Sequence, residues 1–364
     1  MNKFTDNQEI LFERKDNIVF LRFNRPSALN AINSNMVMAM DEALDYCAAN
    51  DEIVAVIVEG EGRAFSAGGD VLGAYKASLH GSNYVDFFKA EYKYNLKLHN
   101  FTKPYICFYD GIVMGGGVGN SIFGKYTIAT ENTLWAMPES AIGFFTDVGA
   151  SYFTQRVNLS LALFICLTGA RLNAADCLNF GFATHYLASE NITALKILLL
   201  ENLKNMVWKE ADKNKVFELI DKSLNQYSSD AGQPSLTSDK ITLIENCFSA
   251  KSVQTIINNL SEQEEQGNKF AQELIQVFKT LSPLSLLVIF KHICETRNFS
   301  LYECLKQDYI VMYHMLHSHD FYEGVRAMLV DKDKNPKWQY SNINDIDYDT
   351  VLNYFKPIGA ELYQ

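Results

Sequence analysis

The sequence predicts an α/β fold, in which short buried strands alternate with helices and a mainly helical region follows. Three observations carry that prediction. Near-continuous apolar runs end in turn residues, one segment shows helical spacing, and the texture changes past residue 190. IVFLRFNR (18–25) reads as a strand followed by an Asn/Pro/Ser/Ala turn. Residues 35–49 place apolar side chains at helical intervals. VAVIVEGEG (54–62) is a buried-strand pattern closing on glycine, and YICFYD (105–110), YTIAT (126–130) and LWAM (134–137) follow suit. Residues 190–310 are helical in pattern, broken near 228–239 and 261–268. The segment 320–338 reads as a helix stopped by Asn335-Pro336. The expected division is a core over 1–195 and a helical region over 196–364 packing on it.

Composition narrows the class. At 364 residues and 48% hydrophobic, the chain can bury a large core unaided. Its seven scattered cysteines form no CxxC pair, which suits reduced, buried thiols rather than a disulfide framework or a zinc site. A net charge of -11 argues against a nucleic-acid partner. No run of about 18 apolar residues suggests a membrane span. The first seventeen residues look like neither a signal nor a transit peptide, so a cytoplasmic location is expected.

Three segments carry chemistry. GRAFSAGGD (62–70) runs from a strand into small residues that let a ligand approach backbone N–H groups, although a tight turn explains it equally. DGIVMGGGVGNSIFG (110–124) has four glycines in five residues after a strand and opens a helical stretch. It fits neither a Walker A loop nor a dinucleotide fingerprint. AMPESAIGFFTDVGAS (136–151) sets two carboxylates, Glu139 and Asp147, in apolar surroundings. Desolvated acids of that kind suit catalysis, while a capped helix start is the bland alternative.

In order and spacing these segments resemble the crotonase, or enoyl-CoA hydratase/isomerase, superfamily. The stretch from MGGGVGN to VGASYF (114–153) is similar to its 3-hydroxyisobutyryl-CoA hydrolase branch. The likeness runs from about residue 10 to 190 and resumes in ENCFSAKSV (245–253) and DFYEGVRAMLVDKDKNPKW (320–338). It implies a crotonase-like ββα spiral with a helical C-terminal region. It also implies an oxyanion hole built from the N–H groups of Ala67 and Gly116, with Gly68 and Glu91 binding substrate. Glu139 is the expected acid–base or nucleophilic residue. Asp147 stands where hydratases usually have glycine, and is expected to position the acyl hydroxyl or to protonate the departing thiolate.

Hydratases carry a second glutamate where this chain has Gly119, and water addition across C=C needs two positioned acid–base groups. The implied activity is therefore hydrolysis of a short branched 3-hydroxyacyl-CoA thioester, as in valine breakdown. No cofactor or metal is expected, coenzyme A being part of the substrate, and family members often form homo-oligomers. Hydration or isomerisation of an enoyl-CoA is one rival, and a non-catalytic acyl-CoA-binding protein another. Ser27 and Leu72 replace basic residues that relatives place near the CoA phosphates, which leaves Lys76 and the DKDKNPK segment (331–337) as candidates, with plain surface lysines the simpler account. The histidines of HMLHSHD (314–320) lack a converging ligand set and are set aside as a metal site.

Overall fold

The computed structural model describes residues 8–79, 84–209 and 212–363. Residues 1–7, on which part of the N-terminal targeting argument rests, lie outside them. The strands are β1 (Ile10–Lys15), β2 (Ile18–Phe23), β3 (Ala55–Gly60), β4 (Ala64–Ser66), β5 (Tyr105–Tyr109), β6 (Ile112–Met114), β7 (Tyr126–Ala129), β8 (Leu134–Ala136) and β9 (His185–Tyr186). They form a six-stranded sheet ordered β1-β2-β3-β5-β7-β9 and a three-stranded sheet ordered β4-β6-β8. Only β1 and β2 pair antiparallel in the larger sheet. Strands β3, β5 and β7 each hand the chain to a partner in the smaller sheet (β4, β6, β8) before a helix or helical turn follows. Three such turns make the ββα spiral.

The chain separates into two compact units that interleave along the sequence. The first comprises residues 1–69, 94–135 and 172–235, and the second residues 70–93, 136–171 and 236–364. The units thus divide differently from the expected 1–195 and 196–364. In the first, the apolar faces of helices Ile192–Leu203 and Lys213–Tyr227 bury Leu195, Leu199, Ile220 and Leu224 against Ile57, Ile106 and Ile128 of the sheet. The sheet cannot be covered without residues 196–224, so they belong with the strands.

The second unit is built of helices, among them Val253–Glu265, Lys269–Phe278, Pro283–Glu295, Leu301–Met315 and His319–Val325. The expected helix over 320–338 is shorter than its pattern. It passes into a π turn over Arg326–Val330 and stops there. Lys332 and Lys334 take left-handed conformations (φ 57° and 53°), while Arg326 binds Glu323, Asp331 and Asp333. That ion cluster folds the DKDK stretch back before Asn335-Pro336 is reached. Among the described residues no single helix is long and apolar enough to cross a membrane. All seven cysteines are free thiols, six of them buried.

Candidate active site

In the first unit, β4 delivers the chain into Ala67-Gly68-Gly69. Gly68 has φ +117°, a conformation that L side chains rarely adopt. A Cβ placed on it would lie 3.4 Å from Met114 O and 3.8 Å from Gly116 N, so the two glycine segments meet backbone to backbone. Gly117 is tighter still, since a Cβ there would come within 2.6 Å of Ser66 O. The helical stretch expected after the glycines is a single turn, Gly116–Gly119. No residue of the described chain accepts a hydrogen bond from the Gly116 N–H.

One expected donor must be replaced. The Ala67 N–H donates to Leu29 O at 2.9 Å, so it is committed to holding the loop and is not open to an oxyanion. Two residues on, Gly69 sits in a lone parallel bridge with Ile32, through which Ile32 N–H donates to Gly68 O. The Gly69 N–H itself donates to no acceptor among the described residues. The free pair at the glycine crossing is therefore Gly69 and Gly116. The signal was present in the double glycine of FSAGGD, but register along an irregular loop decides which N–H is free.

In the second unit, Pro138 opens a 3-10 turn, Glu139–Ile142, closed by Gly143 in a left-handed conformation. That turn is clasped by the helix His319–Val325. A Cβ on Gly143 would come within 2.0 Å of Asp320 O, and one on Gly324 within 2.3 Å of the Ile142 carbonyl. Ser140 Oγ donates to Leu167 O and Ser282 Oγ to Asp320 Oδ2, which fixes both sides of the contact. Phe144, in the loop after the turn, packs on Phe88 and Phe321. Glu139 is thereby buried, and its Oε2 has no hydrogen-bond partner among the described residues.

Burial first, then the charges of Asp147 and Glu91, hold the Glu139 carboxyl well above the usual carboxylate range. Asp147 is buried too and is pushed up to about 7 by burial, against the lowering effect of a hydrogen bond from Tyr92. That bond, Tyr92 Oη–H to Asp147 Oδ2, is 2.6 Å long. Glu91, whose plain reading was an exposed helix glutamate, is 1% exposed on the inner face of Val85–His99. Structure therefore brings Glu139, Asp147 and Glu91 into one electrostatic group, and adds Tyr92. Nothing in FFKAEYKYN marked Tyr92, because its role depends on which helix face is buried.

The remaining candidates stand elsewhere. Gly119 is buried, and its carbonyl accepts from Asn95 Nδ2. Lys76 is exposed on the helix Val71–Leu79. His314, His317 and His319 engage Lys356 O, Tyr313 O and Asp320 Oδ1 respectively. Three different partners share out the histidines, and no group of three or more metal-ligating side chains exists among the described residues.

A ββα spiral with paired glycine segments and a buried carboxylate cluster defines an acyl-CoA-type crotonase. The enoyl-CoA hydratase/isomerase family model matches residues 18–355, and the chain belongs to that family. Its relatives include the 3-hydroxyisobutyryl-CoA hydrolase, mitochondrial, of Xenopus tropicalis, 38% identical over 93% of this chain and 86% of the relative. The Homo sapiens protein of the same name is 35% identical over 99% of this chain and 92% of its own length. Among solved structures, a carnitinyl-CoA dehydratase from Mycobacterium thermoresistibile superposes with a TM-score of 0.87 at 32% identity, covering 98% of both chains. An enoyl-CoA hydratase from Rhodobacter sphaeroides 2.4.1 gives 0.83 at 26% identity, covering 96% of this chain and 98% of that one.

Proposed function

We propose that this chain hydrolyses 3-hydroxyisobutyryl-CoA, or a closely similar short branched 3-hydroxyacyl-CoA, to the free acid and coenzyme A, a step of valine breakdown. The names of the curated relatives support the reading. The observation that carries it is the pairing of two buried carboxyls in unlike surroundings, Glu139 with an oxygen left unpaired and Asp147 held by Tyr92. Two acids tuned apart by environment are what separate base and acid roles require. The hydratase and dehydratase titles of the solved neighbours suggest the rival chemistry, but Gly119 supplies no second glutamate for it.

In this reading the N–H groups of Gly69 and Gly116 hold the thioester oxygen as negative charge develops on it. With one proton between them, the Glu139–Asp147 pair provides both functions. The Glu139 carboxylate acts on the carbonyl carbon, directly or through a water. The C–S bond then breaks, and the proton carried by the pair passes to the thiolate through Asp147. Direct attack gives a mixed anhydride that water cleaves in a second step. Single turnover in ¹⁸O-water separates the routes, because only direct attack leaves label in Glu139.

The deciding experiment follows free thiol released from 3-hydroxyisobutyryl-CoA, with crotonyl-CoA hydration run in parallel. Thiol release that falls on the order of 10²–10⁴-fold in Glu139→Gln, with KM little changed, supports the hydrolase. Hydration without thiol release refutes it. Absence of both reactions favours a binding protein. The cytoplasmic location expected from the sequence stands against relatives whose names place them in mitochondria, and cell fractionation distinguishes the two.

A further inference from the structure

Two buried groups that the mechanism does not use lie against the Asp147 turn. Asp308, on the helix Leu301–Met315, is fully buried, and its Oδ2 accepts the Gly149 N–H at 2.7 Å. Its Oδ1 lies 2.6 Å from Nε2 of His292, which is 1% exposed on the helix Pro283–Glu295. His292 Nδ1 has no hydrogen-bond partner among the described residues, and the ring rests against Phe145. A buried pair with one atom left unpaired is a poor source of stability, and apolar side chains of similar size serve at least as well. Its presence therefore calls for another account.

Backbone strain supplies one. Val148, between Asp147 and Gly149, has φ +49°, and Gly149 has φ +74°. A β-branched residue in the left-handed region persists only where its surroundings over-determine it. The Ala150 N–H closes the turn on Asp147 O, Asp308 holds the Gly149 N–H within it, and His292 fixes the rotation of the Asp308 carboxyl. We propose that Asp308, clamped by His292, is a positioning residue that holds the Val148–Gly149 turn and so aims the Asp147 carboxyl at Tyr92 and Glu139. The inference rests on the proposed role of Asp147 in thioester hydrolysis.

The groups facing Asp147 are Glu91 and Tyr92 from one helix, Glu139 from its turn, and the Asp308–His292 pair from two others. The test compares Asp308→Asn with the double variant Asp308→Leu/His292→Leu, which is expected to fill much of the same space and to fold even where Asp308→Ala does not. Two quantities are read, kcat against KM for thiol release, and titration of the Asp147 carboxyl by ¹³C NMR without substrate. Asp308→Asn keeps an acceptor for Gly149 and is expected to retain kcat within about tenfold. The double variant is expected to keep KM and its melting temperature while kcat falls on the order of 10²-fold. Its Asp147 titration should drop from about 7 as water reaches a loosened turn. An unmoved titration in the folded double variant overturns the proposal, whatever the rate does, and so does a moved titration with parental kcat. Should the parent chain release no thiol, the hydrolase reading fails, and the carboxyl titration still decides whether Asp308 holds the turn.

Discussion

The glycine crossing and the carboxylate turn present their polar groups by opposite means. At the crossing, the open groups are backbone N–H donors, and side chains matter only by being absent, as at Gly68 and Gly117. In the turn, the groups presented are carboxyl side chains, and the backbone beside them is bent into a costly conformation, as at Val148. The contrast teaches that the first region tolerates changes of chemistry but not of volume. The second tolerates changes of volume poorly and changes of chemistry not at all.

The largest effect that sharpens this contrast beyond Glu139 is expected from Asp147→Asn, which keeps shape and loses the ionisable group. Thiol release should fall on the order of 10²–10³-fold, and the descending limb of the kcat/KM profile near pH 7, where Asp147 loses the proton it donates, should disappear. Stability responds as well. The Asp147 carboxyl titrates higher folded than unfolded, so its contribution is complete below the ordinary carboxylate range and is lost as pH rises through about 7. Melting temperatures of the parent should fall between pH 5 and pH 8, and those of Asp147→Asn should fall less.

Next comes Gly68→Ala, which adds one methyl group at φ +117° against Met114 O. By disturbing the donor pair it should lower kcat on the order of 10²-fold and leave the pH profile in place, the reverse of Asp147→Asn. A smaller effect, roughly tenfold in kcat, is expected for Tyr92→Phe, which deletes a hydrogen bond to a charged group. Its Asp147 should titrate above the parent value, since the lost bond favours the ionised form. The smallest is Ala67→Gly, expected to cost about 0.5–1 kcal/mol of stability and nothing in turnover, because the N–H donates to Leu29 O with either residue. A large loss of kcat there would return Ala67 to the oxyanion hole and break the comparison.

The two regions were also unequally legible in the sequence. Buried strands announce themselves by continuous apolar runs, so β2, β3, β5, β7 and β8 fall where those runs predict. Strands β4 and β6 are three residues long inside glycine-rich loops, too short for any periodicity to register. Residue type pointed to Glu139 and Asp147, because acids in an apolar segment are conspicuous, while Glu91 was marked only by the family resemblance. Their partners did not stand out. Tyr92 is one tyrosine among nineteen, and Asp308 lies in an ordinary amphipathic helix. Backbone donors were the least legible of all. A sequence shows that small residues cluster, but the choice of Gly69 over Ala67 depends on one hydrogen bond to Leu29 that no local pattern encodes.

The packing of Gly143 on Asp320 and of Gly324 on Ile142 carries a consequence for how the protein comes into being. The turn presenting Glu139 is pressed directly by backbone made 177 to 182 residues later (Gly143 to Asp320, Ile142 to Gly324), at the rim of the helix His319–Val325. On a ribosome adding about 5–20 residues per second, that interval is roughly 10–40 s. Throughout it the nascent chain holds every residue of the reactive pair without the scaffold that clasps it. On the proposed roles of Glu139 and Asp147, competence to cut a thioester is expected to arrive late in synthesis, and a chain released early to be inert even though it carries both residues.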